Sequence, residues 1–559
     1  MSWRSNQNPQ FRSQFSETIF NQKYRHEGAE TWNELCATLV EDVCEDRMTE
    51  NDKKDLILYM QEMKFIPGGR YLYYAGRTAK FYNNCYLLRS EEDSREDWAN
   101  LSWKAESCLM TGGGIGNDYS RYRGKGSLLG RTGGTASGPL PKIEMINEIG
   151  RRVMQGGSRR SAIYGSLNWK HPDIYDFLGA KDWEKIPVGT TGLSYWDIKQ
   201  QDFNFPCPLD MTNISVNYDT EWLENFWNTG KVGDVFERNV EQALRTAEPG
   251  FSFNFFGKEN ETLRNACTEV TSEDDSDVCN LGSVNYGRIE SLAELKDVVQ
   301  LATMFLICGT LKAQLPYDKV YKVREKNRRL GLGIMGIHEW LLKQGSEYAV
   351  TPELHRWLTV YERVSDETSY TMCKSLGISQ PVANRAIAPT GTIGIMAGTT
   401  TGIEPLFAVA YKRRYLKGTK WHSQYVVDGA AQELINLYGV DPDKIESALD
   451  LSENFEKRIK FQADIQDYVD QSISSTINLP AWGSRFNNPD TVGPFANTLA
   501  SYAHRLRGFT CYPDGARGGQ PLTPVPYSEA VANLGTEFEE HIETHDICDI
   551  SGKGGSCGL

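Results

Sequence analysis

The chain lacks any run of about 18 consecutive apolar residues, so its sequence offers no membrane-spanning helix. The opening residues, Met1-Ser2-Trp3-Arg4-Ser5-Asn6, lack the apolar stretch of a secretory signal, and a cytoplasmic setting is expected. Positive charge is also short: 60 lysines and arginines stand against 74 aspartates and glutamates, a net −14. An acidic surface argues against a nucleic-acid or anionic-membrane partner, while leaving room for a local basic pocket around one phosphorylated metabolite. Histidine is scarce, with eight in 559 residues. No internal repeat is present.

What is present is enough for a large core, with 40% hydrophobic and 24% charged residues, the balance of an ordinary globular protein. Twelve cysteines without an export signal read as reduced thiols. Residues 1–65 are expected to form a small helical region, since Thr31 to Val40 carries apolar residues at helical spacing. From there to residue 525, short apolar runs broken by glycine alternate with helical segments, which predicts a parallel α/β core. The remainder, 526–559, reads as one helix over about 528–543 followed by a glycine-rich tail that carries Cys548 and Cys557.

Asn265, Cys267 and Glu269 are spaced two apart in Arg264-Asn265-Ala266-Cys267-Thr268-Glu269-Val270. In an extended segment they would share one face, presenting an amide, a thiol and a carboxylate to one small molecule. Cys279 follows in Val278-Cys279-Asn280-Leu281-Gly282, and Cys85 lies in Asn83-Asn84-Cys85-Tyr86-Leu87. Two readings of Cys85 stand: a small buried hydrophobe, or half of a redox pair with Cys267 or Cys279.

Ala388-Pro389-Thr390-Gly391-Thr392-Ile393-Gly394 reads as a turn opening a helix, either a phosphate cradle or an ordinary cap. Gly331-Leu332-Gly333-Ile334-Met335-Gly336 matches G-x-G-x-x-G, but Lys326-Asn327-Arg328-Arg329 precedes it rather than an apolar strand. The dinucleotide reading therefore fails, and tight strand–helix packing replaces it. His541, His545, Cys548 and Cys557 have loose spacing for zinc; a dithiol that exchanges electrons is the alternative, and no metal site is expected. Cys36, Cys44, Cys108, Cys207, Cys308 and Cys373 show no pairing logic and are expected to be structural.

Together these segments resemble the catalytic subunit of ribonucleotide reductases over about residues 20–520. The matching stretches also include Gly112 to Gly116, Gly133 to Pro139, Arg159-Arg160, His171-Pro172-Asp173-Ile174, Asn327-Arg328-Arg329 and Gly402-Ile403-Glu404-Pro405. The resemblance implies a ten-stranded α/β barrel with a central finger loop. It implies that Cys267 becomes a thiyl radical that removes the 3′-hydrogen of a ribonucleotide, with Glu269 taking the 3′-hydroxyl proton and Asn265 holding that hydroxyl. Cys85 and Cys279 would finish as a disulfide, and Cys548 and Cys557 would re-reduce it before an external thioredoxin- or glutaredoxin-like protein. Asn84, Gly114 and Pro389 to Ile393 (Thr390, Gly391 and Thr392 between them) would bind substrate. Arg159 and Arg160 would belong to the loop that reports a dNTP or ATP specificity effector.

The family divides by radical source. Oxygen-dependent members use adjacent tyrosines, but here Gly508-Phe509-Thr510-Cys511-Tyr512-Pro513-Asp514-Gly515-Ala516-Arg517 has Cys511 before Tyr512. Gly-x-x-x-Tyr-x-Asp-Gly-x-Arg resembles the adenosylcobalamin-dependent class, which implies that cofactor. No D-x-H-x-x-G pattern is present to hold it through a protein histidine, and the C-terminal segment of the glycyl-radical class is absent. Ala266 departs from the proline usual in cobalamin members and echoes the oxygen-dependent group, so a large subunit served by a ferritin-like metal partner is the second reading. A non-catalytic nucleotide-binding regulator is the third. Only residues 117–132 separate two glycine motifs between which monomeric cobalamin enzymes carry a long insertion, and a homodimer is therefore expected. The chain also begins too near the barrel for a full ATP-cone, so overall-activity control by ATP and dATP is not expected.

Overall fold

The computed structural model describes residues 11–153, 161–202, 205–417, 420–516 and 522–539. Arg159, Arg160, His541, His545, Cys548 and Cys557 lie outside the described residues.

Thr31 caps Trp32–Cys44 by accepting from Glu34 N while Glu34 reaches back to the cap, a reciprocal pair that fixes the helix start. Its buried face, including Trp32, Leu35, Leu39 and Val43, packs on Glu50–Gln61 and on the long helix Leu292–Lys312. Gln14–Lys23, Trp32–Cys44 and Glu50–Gln61 precede Phe65–Pro67, the first strand of the main sheet.

The main sheet has ten strands. Cys85–Arg89, Gly114–Asp118, Ile163–Asn168, Thr212–Asp219 and Gly250–Asn254 run parallel as one half-barrel. The second half starts with Asp277–Asn285 parallel to Leu330–Met335 and ends with Thr476–Leu479 parallel to Gly508–Pro513. Residues 383–387 close the gap through the parallel bridges Leu332↔Arg385 and Ile387↔Ile473. The halves meet at two antiparallel seams, Cys85↔Cys279 on one side and Gly508↔Ser252 on the other. Phe65–Pro67 continues the Cys85 edge along Asp277–Asn285. The α/β barrel expectation therefore holds, and helices cover its outside in two apolar clusters.

A short hairpin, Leu263–Arg264 paired with Thr271–Ser272, forms the central finger. It leans on Gly116, where an added Cβ would lie 1.6 Å from the Arg264 carbonyl oxygen, so only glycine permits this approach.

Three local expectations change. The G-x-G-x-x-G run is itself the strand Leu330–Met335, and its glycines admit neighbouring strand backbone rather than a helix: a Cβ on Gly333 would sit 2.7 Å from Ala386 O. The helix expected over 528–543 is shorter, Tyr527–Ala532, with the strand Glu537–Glu539 after it. Gly535, at φ +78°, breaks the helix, and Phe538 then packs on Tyr425 at 5.7 Å. That strand and Leu522–Pro524 flank the hairpin of Ala410–Lys417 and Lys420–Val427, so the expected division at 525/526 falls inside a small four-stranded sheet. The third change concerns the finger tip.

Candidate active site: a turn inside the barrel

Asn265, Cys267 and Glu269 do not lie on an extended segment. Thr268 N donates to Asn265 O at 2.9 Å and Thr268 takes φ +70°, so the residues form a tight turn at the finger tip. The hairpin leaves too few residues to stay extended across the barrel, and the turn replaces the shared face. It still gathers the three groups, burying Asn265 and Glu269 while leaving Cys267 exposed.

One barrel strand and one connecting segment hold that turn. Asn213 Nδ2 donates to Ala266 O at 3.1 Å, and Ser472 N donates to Glu269 O at 2.8 Å. Asn265 is fixed from within, its Oδ1 accepting from Val270 N at 3.0 Å while its Nδ2 reaches Cys85 Sγ at 3.1 Å. The Cys85 thiol in turn points at Glu269 Oε1, 4.0 Å away. Burial pushes the Glu269 carboxyl up to about 7, against the opposing pull of the Asn265 hydrogen bond. Glu269 Oε2 and Asn84 Oδ1 are buried with no hydrogen-bond partner among the described residues.

Cys85 and Cys279 are direct cross-strand partners at the first seam. Directly opposed antiparallel residues have Cβ atoms about 4.5–5.5 Å apart on one face, close to the roughly 3.5–4.5 Å of a disulfide. Of the two readings of Cys85, the one that pairs it with Cys279 has this geometry. Both thiols are raised, first by burial, with Glu269 adding to each; Arg329 opposes the shift at Cys279.

The cleft above them spans about 830 Å³, open solvent included. Asn84, Gly114, Cys267 and Pro389 to Ile393 line it, together with Tyr24, Gly68 and Gly69, which sequence reasoning did not single out. Gly68 and Gly69 occupy the break between the collinear strands Phe65–Pro67 and Cys85–Arg89. The 388–394 segment opens the helix Gly391–Ala397 as expected. Thr390 spends its hydroxyl inside the fold, accepting from Gly402 N at 2.8 Å, so first-turn N–H groups are left for an anion.

Other quoted motifs brace the site. Asn327 and Arg329 both donate to Asp277 Oδ2 at 2.9 Å, anchoring the strand that carries Cys279. Glu404 pairs with Arg458 at 2.5 Å and accepts from Thr476 N at 2.7 Å. Asp173 receives Lys125 N at 3.0 Å and so holds the loop leading to Gly133–Pro139. Gln471 was missed: its Oε1 receives Thr271 N at 3.3 Å and its Nε2 donates to Leu330 O at 2.8 Å, tying finger to barrel. Asn213 and Gln471 carry no local motif; only the register reveals them.

Cys511 faces outward. It belongs to the cluster behind the barrel, its thiol meets Ala243 O at 3.6 Å, and burial pushes it up to about 12. Tyr512 alternates to the other face of the same strand. Among the described residues no group of His, Cys, Asp and Glu could hold a metal ion, and no helix is long and apolar enough to cross a membrane.

The arrangement can run one-electron thiol chemistry at an exposed cysteine, proton transfer at a carboxyl poised near neutrality, and two-electron chemistry at an adjacent thiol pair. The family model described as ribonucleotide reductase, barrel domain, matches residues 83–204, 217–381 and 377–512. The chain is 26% identical over 570 residues to a vitamin B12-dependent ribonucleoside-diphosphate reductase of Mycobacterium tuberculosis, covering 90% of this chain and 78% of that protein. A protein of the same name from Thermoplasma acidophilum is 26% identical over 564 residues, covering 89% and 71%. Among solved structures, the alpha subunit of an Actinobacillus ureae class Id ribonucleotide reductase matches with TM-score 0.68 at 16% identity, covering 90% of this chain and 97% of that one. That likeness is one of fold.

Proposed function

The chain belongs to the ribonucleotide reductase barrel family, and on that premise we propose that it reduces ribonucleotides to 2′-deoxyribonucleotides with adenosylcobalamin as its radical source. The observation that carries the reading is the exposed Cys267 at the finger tip, beside Glu269 with an unpartnered oxygen and the cross-strand pair Cys85 and Cys279. Relatives named for vitamin B12 dependence support the cofactor. The residues fit it: Cys267 is open to an external radical donor, while Cys511 turns out of the barrel where a relay through adjacent tyrosines would need a ring. Adenosylcobalamin, when bound, supplies the one-electron oxidation of the Cys267 thiol.

The chain's own groups then divide the work. Cys267 removes the 3′-hydrogen and later returns it. Glu269 Oε2 accepts the 3′-hydroxyl proton, a task suited to a carboxyl titrating near 7. Asn265, locked by Val270 N, orients that hydroxyl. Cys85 and Cys279 give one proton to the departing 2′-hydroxyl, which leaves as water, and the second proton with two electrons to the sugar, where the new hydrogen ends on C2′, closing a disulfide between them. Asn84, Gly114 and the Pro389–Ile393 turn seat the substrate, whose phosphates meet the helix N-terminus. Cys548 and Cys557 reopen the disulfide by exchange and pass the oxidation to a thioredoxin- or glutaredoxin-like protein.

We assign Arg159 and Arg160 to the loop that couples a dNTP or ATP effector to substrate choice, and a homodimer as the assembly. Exposed Trp103 and Met110 on Arg95–Met110, with Met145 on Leu140–Arg152, offer an apolar face for a second copy. A reducing cytoplasm suits the free thiols of the described cysteines. The test is anaerobic reduction of CDP and CTP by the chain alone with adenosylcobalamin and a dithiol. Deoxynucleotide formed without a second protein supports the reading; an absolute need for a ferritin-like metal partner returns the chain to the oxygen-dependent class.

A further inference from the structure

A second large cleft, spanning about 1520 Å³ with open solvent included, opens near the other end of the helix whose N-terminus lines the active site. Its wall is Tyr286–Arg288 just after the Cys279 strand, Trp340 and Lys343 on the helix Ile337–Lys343, and Tyr438 at the end of Gly429–Tyr438. Most charge here is neutralised. Arg12 pairs with Glu339 at 2.8 Å and Glu433 at 2.6 Å, and Lys343 pairs with the same two carboxylates at 2.7 and 3.1 Å. Lys64 pairs with Glu62 at 2.8 Å and Glu294 at 2.5 Å.

Arg288 and the exposed Glu290 are the exceptions, neither having an ion-pair partner among the described residues. Arg288 Nη2 donates to Ala397 O at 3.1 Å, and its Nε is buried without a partner among the described residues. Trp340, 3% exposed, likewise has an indole N–H with no acceptor among the described residues. Two buried donors left unmade cost free energy, which a ligand would recover once the Arg288 and Trp340 side chains turn these shielded atoms toward the cleft. One is a guanidinium, which suits a carboxylate or phosphate; the other belongs to a large ring, and the exposed Tyr438 ring stands on the same wall.

We propose that this cleft binds a small anion carrying a planar ring, the class of a nucleoside monophosphate, with its anionic group on Arg288 and an acceptor of the ring on Trp340. The site also reaches the helix Gly391–Ala397. Arg288 and Arg12 donate to the carbonyls of Ala397 and Gly398 at its C-terminal end, where a cation stabilises the helix. An anion that engages Arg288 weakens that cap and thereby loosens the turn at the opposite end. Occupancy therefore raises the substrate KM more than it lowers kcat. This coupling rests on the substrate-phosphate role given above to that turn; binding itself does not.

The experiment is calorimetric titration of the full chain with AMP and with inorganic phosphate, in saturating substrate and effector so that other nucleotide sites are filled. AMP is expected to bind one site per chain, with phosphate weaker. Arg288→Met is expected to weaken AMP at least about tenfold, and Trp340→Phe, which keeps the ring and removes only the donor, about threefold to tenfold. Absence of saturable AMP binding to the full chain overturns the proposal, as does unchanged affinity in Trp340→Phe together with Arg288→Met. AMP binding without an effect on substrate KM keeps the site and removes the coupling, which separates its failure from that of the proposed function.

Discussion

At one mouth of the barrel, Arg264, Arg507, Glu261, Asp277 and Arg329 interlock around the root of the finger; at the other, Glu269 and Asn84 keep polar atoms that no described residue satisfies. The halves run antiparallel to each other, so strand ends from both halves meet at each mouth. At the braced mouth Arg507 pairs with Glu261 at 2.7 Å and Arg329 with Asp277 at 2.9 Å. Arg264, fully buried, donates to Asn254 Oδ1 at 2.7 Å and Arg507 O at 3.2 Å; burial and the neighbouring Arg507 charge lower it to about 9. The open mouth instead collects glycines, an exposed thiol and an unpaired carboxyl. Unmet polar atoms remain at both mouths, Arg264 Nε and Arg507 Nη1 at the braced one, but only the open mouth sets an unmet carboxyl oxygen beside an exposed thiol.

That division can be broken by substitution. The largest effect is expected from Cys267→Ser, which should remove turnover by about 10⁴-fold or more while leaving the thermal midpoint nearly unchanged. A large melting shift would show that the tip is structural after all. Glu269→Gln should lower turnover by about 10²- to 10⁴-fold, the worth of a general base.

The pH dependence of Glu269 has a definite sign. Its carboxyl must be ionised to accept a proton, so turnover should rise through pH about 7 and level off above it. The folded state holds that proton more tightly than the unfolded chain. Its stabilising share is thus complete below the unfolded value near 4.5 and is lost as pH rises through about 7. Denaturant melts of Glu269→Gln at pH 8 should therefore equal or exceed the parent in stability. A parent that melts more stably at pH 8 than at pH 5, with Glu269→Gln flat, would contradict the buried carboxyl.

At the braced mouth the order should invert. Arg264→Met is expected to cost about 3–5 kcal/mol in chemical denaturation, because the surrounding carbonyls lose a charged donor. The smallest effect is expected from Asn213→Ala, about 1 kcal/mol and a few-fold in kcat, read together by melting and single-turnover kinetics. Equal stability losses at both mouths would remove the distinction between them.

The amide, thiol and carboxyl were legible because the chain itself places them within five residues, and any local conformation keeps them close. Their backbone was not legible: Thr268 carries no glycine-like signature of a left-handed turn, and the turn is imposed by the hairpin around it. The meeting of Cys85 with Cys279 depends on a register between strands nearly two hundred positions apart, and no local pattern encodes it. Asn213 and Gln471 were invisible for the same reason, being ordinary polar residues until the barrel closes. The α/β class was readable from alternating strand-like and helix-like runs and the barrel only from the family resemblance, whereas residues 383–387, which close it, carry too few ladder bonds to announce a strand.

Cys85 belongs to one half-barrel and Cys279 to the other, and they face each other where the halves are stitched. On the redox role proposed for this pair, a disulfide formed in turnover would also be a weld across that seam. Each catalytic cycle would then fasten the two halves covalently and each reduction release them, and the oxidation state of the pair would set the stiffness of the barrel.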